Sequence, residues 1–204
     1  YGISYKVKDN YTLGIAYQQG VVNENAGESY KRRAVSLSSS YDKSKFKLTN
    51  KFEYRIDNKS SLNEETYVTT NGFSVRLTDS LRGLANFDYS ISRDRETDET
   101  IERYSEANVG FAFRPVTNNR LAILGRYRNI QQEDNTSRTN VTDQKKEIFE
   151  AEVNYKLSNK WSIGGRIAYN DAQEYYTTEL GDTLTIENSA ALYGVRLEYD
   201  VMRT

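Results

Sequence analysis

The sequence has no cysteine and no histidine, and one proline, one methionine and one tryptophan in 204 residues. Without cysteine there is no disulfide and no thiolate nucleophile. Without histidine the commonest general base and the commonest transition-metal ligand are both missing. A Ser–His–Asp triad is therefore impossible within these residues. Charge of either sign is not in excess, with 28 Lys+Arg against 29 Asp+Glu, so bulk charge gives no pull toward nucleic acid. No apolar run reaches the about 18 residues that a membrane-crossing helix needs. No secretory leader precedes the first strand pattern at Tyr1-Gly2-Ile3, from which a processed or partial chain is expected. What is abundant is tyrosine, 17 in all, together with Ser, Thr and Val. Aromatic and β-branched residues favour strands over helices.

Alternation confirms that bias. Lys47, Thr49, Lys51, Glu53 and Arg55 interleave with Phe46, Leu48, Phe52, Tyr54 and Ile56, which is a period-two strand with one apolar and one polar face. The same reading yields about eleven strands along the chain. Tight polar turns separate them at Lys8–Asn10, Asp42–Lys45, Thr78–Ser80, Pro115–Asn119 and Ser158–Lys160. Longer polar segments alternate with these turns: Asn23–Ser29, Asp57–Glu64, Arg93–Glu102, Gln131–Gln144 and Asp171–Thr185. Short turn followed by long loop is the pattern of an all-β, up-and-down antiparallel transmembrane β-barrel.

The competing reading is a soluble sandwich or a lipocalin-like barrel, which would bury the apolar face. Three features oppose it. The strands approach the 9–11 residues that a tilted membrane strand needs. Aromatic residues recur near strand ends, with Tyr11, Tyr17, Tyr41, Phe46, Phe113, Trp161 and Tyr169 as candidates for interfacial girdles. The opposite face carries Arg82, Asp88, Glu106, Arg126, Arg128, Glu150, Glu152, Arg166 and Arg196, candidates for a polar lumen. The mean hydropathy of −0.80 is compatible with this, because only alternate strand residues meet lipid.

The segment from Gly110 to Tyr127, with Arg114-Pro115-Val116-Thr117-Asn118-Asn119 at its turn, resembles the strand–turn–strand units of bacterial outer-membrane barrels. So does Leu157–Gly164, where Trp161 follows the turn directly. The resemblance extends as a pattern over the whole chain and is similar to barrels at the C-terminal end of multi-domain envelope or surface proteins. It implies a bacterial outer-membrane location, outer-membrane lipid as partner, and other envelope proteins or further domains of the same chain. Such barrels often end in an aromatic residue, whereas this sequence ends Val201-Met202-Arg203-Thr204. With short turns periplasmic, an odd strand number puts the start of the first strand outside. Since single-chain barrels normally have an even count, residues 1–204 are expected to be one barrel domain lacking at least one N-terminal strand or a preceding domain, within a barrel of twelve or more strands.

Carboxylate-only chemistry stays open, through Glu150 and Glu152 on one strand and Asp88 and Glu106 on neighbours. Ion pairing with Arg82, Arg126, Arg128, Arg166 and Lys156 is the plainer expectation. Asp94, Glu96, Asp98 and Glu99, then Glu133 and Asp134, form acidic segments without the spacing of a calcium loop, and are read as solvated charge. Asn135-Thr-Ser and Asn140-Val-Thr match a glycosylation pattern that carries little weight in bacteria. No cofactor, metal or nucleic-acid partner is expected, and no enzyme. The expected function is a membrane anchor or assembly component of a larger envelope protein. The alternative is a porin-like channel with an Arg/Glu-lined lumen, constricted by Gln131–Gln144 or Asp171–Thr185 folding inward.

Overall fold

The computed structural model describes residues 1–23, 29–59, 62–137, 140–177 and 183–201, with backbone alone for 136–141. Eleven strands follow one another: β1 (Gly2–Lys8), β2 (Tyr11–Asn23), β3 (Ser29–Lys43), β4 (Phe46–Asn58), β5 (Asn63–Arg76), β6 (Leu81–Asp94), β7 (Thr100–Phe113), β8 (Leu121–Ser137), β9 (Asn140–Lys156), β10 (Trp161–Thr177) and β11 (Thr183–Tyr199). Each pairs antiparallel with its neighbour in sequence, so one sheet runs from β1 to β11 in order. The sheet is open: β1 and β11 do not pair with each other among the described residues.

Local chemistry fixes the short turns. The Thr78 hydroxyl accepts the amides of Ser80 and Leu81 at 3.2 and 3.0 Å. Ser158 does the same for Lys160 and Trp161 at 3.2 and 3.1 Å, and Asn118 accepts the Arg120 amide at 3.1 Å. Each side chain satisfies amides that a reversing backbone leaves unpaired.

The long segments differ from expectation. Gln131–Gln144 is largely ladder, with Gln131 opposite Lys145 and Asp134 opposite Thr142. Asp171 pairs with Ser189 and Thr177 with Thr183, so Asp171–Thr185 is mostly ladder too. Neither folds inward as a constriction over its described length. Polarity looked like loop because these strand ends carry polar residues on both faces, which erases the period-two signal. Arg93–Glu102 shrinks to a turn between Asp94 and Thr100, in which Asp94 accepts the Glu96 amide at 2.8 Å and Asp98 adopts φ 58°. Asp tolerates that left-handed conformation better than most residues. Residues 24–28 and 60–61, within Asn23–Ser29 and Asp57–Glu64, lie outside the described residues, as do the side chains of the two glycosylation-pattern tracts except those of Asn135 and Thr142.

There is no apolar core. Among the described residues, glycines apart, only Tyr30, Ala34, Asp57, Thr66 and Ser92 are buried, and the register puts all five on the polar face. The large apolar side chains sit outward and open, as with Leu37 at 56% and Ile167 at 55% exposure. A soluble sheet would hide such a face. This inverted burial removes the soluble reading.

The outward face is banded. On the short-turn side, Trp161 meets Tyr199 in a tilted pair at 4.7 Å between ring centroids, and Tyr41 stacks on Phe46 at 5.2 Å. On the long-segment side, Tyr127 meets Phe149 at 4.6 Å and Tyr54 meets Tyr67 at 5.0 Å. The belt also reports the strand tilt. Followed through the pairings, Tyr67 on β5 lies level with Tyr175 on β10. Yet the last outward aromatic before an outward charge is Tyr67 on β5, preceding Glu65 in that direction, and Tyr169 on β10, before Asp171. That stagger, about 20 Å along the strand across a width of about 24 Å, corresponds to a tilt of about 40°. Membrane barrels tilt by ~35–45°. From Trp161 to Tyr169 the belt is then ~20 Å tall, close to the ~25 Å apolar band of such barrels.

Candidate functional site

The chemistry of the chain is concentrated on the polar face of β4 to β11. Alternation puts every second residue there, and register decides which charges meet. Arg126 on β8 stands directly opposite Glu150 on β9. Arg166 on β10 reaches the same carboxylate diagonally, its direct partner being Glu152. Glu150 is thus clamped between two guanidinium groups and retains only 10% side-chain exposure. A doubly paired carboxylate is a weak base and nucleophile, since both lone-pair faces are occupied by cations.

Neighbouring pairs extend the ladder. Arg128 lies 3.2 Å from Glu106, which also accepts the Tyr104 hydroxyl at 2.6 Å. Arg196 donates to Asn154 at 3.0 Å and lies 3.4 Å from Glu198 and 4.0 Å from Glu152. On β3 and β4, Arg32 grips Asp57 through two hydrogen bonds of 2.8 and 2.7 Å, while its other contact is the Tyr30 hydroxyl at 3.0 Å. Glu53 is held by Lys51 at 2.8 Å and Arg55 at 2.7 Å.

All nine candidate lumen residues lie on this polar face, but two of them do not pair as expected. Arg82 stands directly opposite Arg76, and neither has a carboxylate partner among the described residues. Arg76, Arg82 and Arg114 line one groove near the short turns. Asp88 stands opposite Glu106, and its Oδ1 is buried without a hydrogen bond. Lys156 likewise forms no ion pair among the described residues. Register is the reason: compositional balance does not decide which side chains become neighbours. The pair Arg32–Asp57 is not among the candidates expected from the sequence, and Tyr54, Tyr67, Tyr127, Phe149 and Tyr199 join the expected girdle residues. The girdle group was legible as outward positions of strands already assigned; the ion pair depended on register.

Asp94, Glu96, Asp98 and Glu99 are spent on the turn rather than gathered. Asn63 donates to Glu96 at 3.0 Å and Arg93 to Asp98 at 3.4 Å. No group of three or more potential metal ligands exists among the described residues.

No known protein family matches the sequence, and no curated protein does. Solved structures match in fold. The ferric citrate transporter FecA, in its unliganded form, superposes with a TM-score of 0.72 at 8% identity, covering 98% of this chain and 38% of that one. The copper transporter OprC superposes with a TM-score of 0.56 at 10% identity, covering 94% of this chain and 38% of that one. The chain therefore spans 38% of the length of either. Its fold is that of a bacterial outer-membrane β-barrel.

Proposed function

We propose that these strands are part of the wall of a large outer-membrane barrel that passes a polar solute, with the charged face of β4 to β11 lining the lumen. The observation that carries this is the polar face itself. It is laid with paired Arg and Glu side chains instead of packed apolar groups, as suits a face toward water. The two neighbours of similar fold are transporters, of ferric citrate and of copper, which supports the reading at the level of class. The open edges support the size. β11 exposes 17 residues of unpaired strand edge, and unpaired backbone groups cost several kcal/mol each in lipid. On this reading further strands, of this chain or another, cover both edges. The engaged carboxylates favour a non-enzymatic role.

A second reading, a membrane anchor, draws on the β10–β11 ladder beyond the belt. It continues from Asp171 to Thr177, a rigid stem on which another domain could rest. Planar-bilayer recording of the intact, folded protein separates the two. The channel reading expects ion-permeable steps, with Arg126→Ala or Arg166→Ala shifting selectivity toward cations, because Glu150 then loses a counter-charge. A silent bilayer from demonstrably folded protein rejects it and leaves the anchor.

A further inference from the structure

At mid-height the outward apolar belt is continuous on β1, β2 and β6 to β11 and broken on β3 to β5. There Ser39, Asn50 and Asn71 stand side by side in register across three strands. Leu13 closes the row on one side and Phe87 on the other. Along β4, Asn50 lies midway between Phe46 and Tyr54, which belong to the opposite girdles, so the row is at mid-height of the belt. Polar side chains turned to hydrocarbon are costly and are rare without a partner.

Part of the row is satisfied internally. Asn50 donates to the Asn71 carbonyl oxygen at 2.7 Å, and Asn71 donates to Thr69 at 3.0 Å and to the Phe87 backbone oxygen at 3.2 Å. The remainder is not. The Asn50 Oδ1 acceptor, its second amide hydrogen and the Ser39 hydroxyl make no hydrogen bond among the described residues. This residual set holds donors and an acceptor on adjacent positions of one flat face. It is self-complementary: across a two-fold axis, the Ser39 hydroxyl or Asn50 amide of one copy meets the Asn50 oxygen of the other, and the reverse. Leu37, Leu48, Phe52 and Phe73 surround the row with exposed apolar surface, enough to exclude lipid from the hydrogen bonds.

We infer that the outward face of β3 to β5, centred on Asn50, is a lateral contact within the membrane between two copies of this protein. The inference rests on the membrane-barrel reading. Self-complementarity selects a second copy over a different membrane protein, and the interruption of an otherwise unbroken belt selects this face.

The test uses the intact protein in native membranes. These 204 residues contain no cysteine; with any cysteine elsewhere in the intact protein replaced by serine, Asn50→Cys is a specific reporter, and Ile167→Cys on the distant belt of β10 is the control. Under mild oxidation, N50C is expected to yield a band of twice the protein's own mass and I167C none. The mass of the unmodified protein in mild detergent is expected to be that of a dimer. The double variant Asn50→Leu with Asn71→Leu is expected to lose the dimer while keeping a heat-dependent gel shift, because apolar side chains suit the belt. Monomeric mass for the unmodified protein, or an N50C adduct with a protein of another size, overturns the inference. Loss of the heat-dependent shift in the unmodified protein, or solubility without detergent, rejects the barrel reading instead and is distinguishable from both.

Discussion

Asp57 shows what single residues contribute on the polar face. Its carboxylate is 5% exposed and takes two hydrogen bonds from Arg32. Asp57→Ala leaves the guanidinium with the Tyr30 hydroxyl and the more distant Glu64, and is expected to cost about 2–4 kcal/mol, read as a lower urea midpoint of the folded barrel. Glu102 makes the opposite case. It stands directly opposite Asp134 beyond the belt, and burial, then Asp134 and Glu64, push its carboxyl above the ordinary range against the pull of Gln132 and Lys59. The folded state therefore holds this proton more tightly than the unfolded chain. The penalty is full above the raised folded value and fades as pH falls through it toward the ordinary ~4.3. Acidification is expected to protect the β7–β8 stem from amide exchange, after correction for intrinsic rates, and Glu102→Gln to remove that slope. A stem whose protection ignores pH, or responds equally in E102Q, contradicts this.

At the scale of elements, alternation is the governing rule and gives its own contrast. Ile167 and Ala168 are adjacent on β10, one outward in the belt and one on the polar face. Ile167→Arg, between the middle of the belt and the Tyr169 girdle, is expected to cost about 1–3 kcal/mol and Ala168→Arg much less, measured by denaturant unfolding in lipid vesicles. Equal costs would mean that the two faces are misassigned. The eleven strands and their faces were legible in the sequence because Phe52 beside Glu53, or Phe149 beside Glu150, repeats at period two. The strand extents were not legible. Glu133, Asp134, Asp143 and Gln144 are polar on both sides of the sheet, so nothing in the sequence separates stem from loop. Hydrogen bonding across β8 and β9 makes them strand.

For the whole molecule, the expected observation is a native gel of detergent-extracted protein, boiled against unboiled. A heat-dependent shift at a mass well above 23.5 kDa is expected, because an eleven-stranded sheet with two free edges is not a closed wall in lipid. A shift at the chain's own mass would show closure by these strands alone. The amino-acid sequence by itself determined the strand class, the two faces and the banding of aromatics, since each of these depends on residues close along the chain. The tertiary structure alone decided that Arg126 and Arg166 share Glu150, that Arg82 faces Arg76, and that Ser39, Asn50 and Asn71 form one row. Those neighbours lie on different strands, and only the register, set by turn length and hydrogen bonding across the sheet, brings them together.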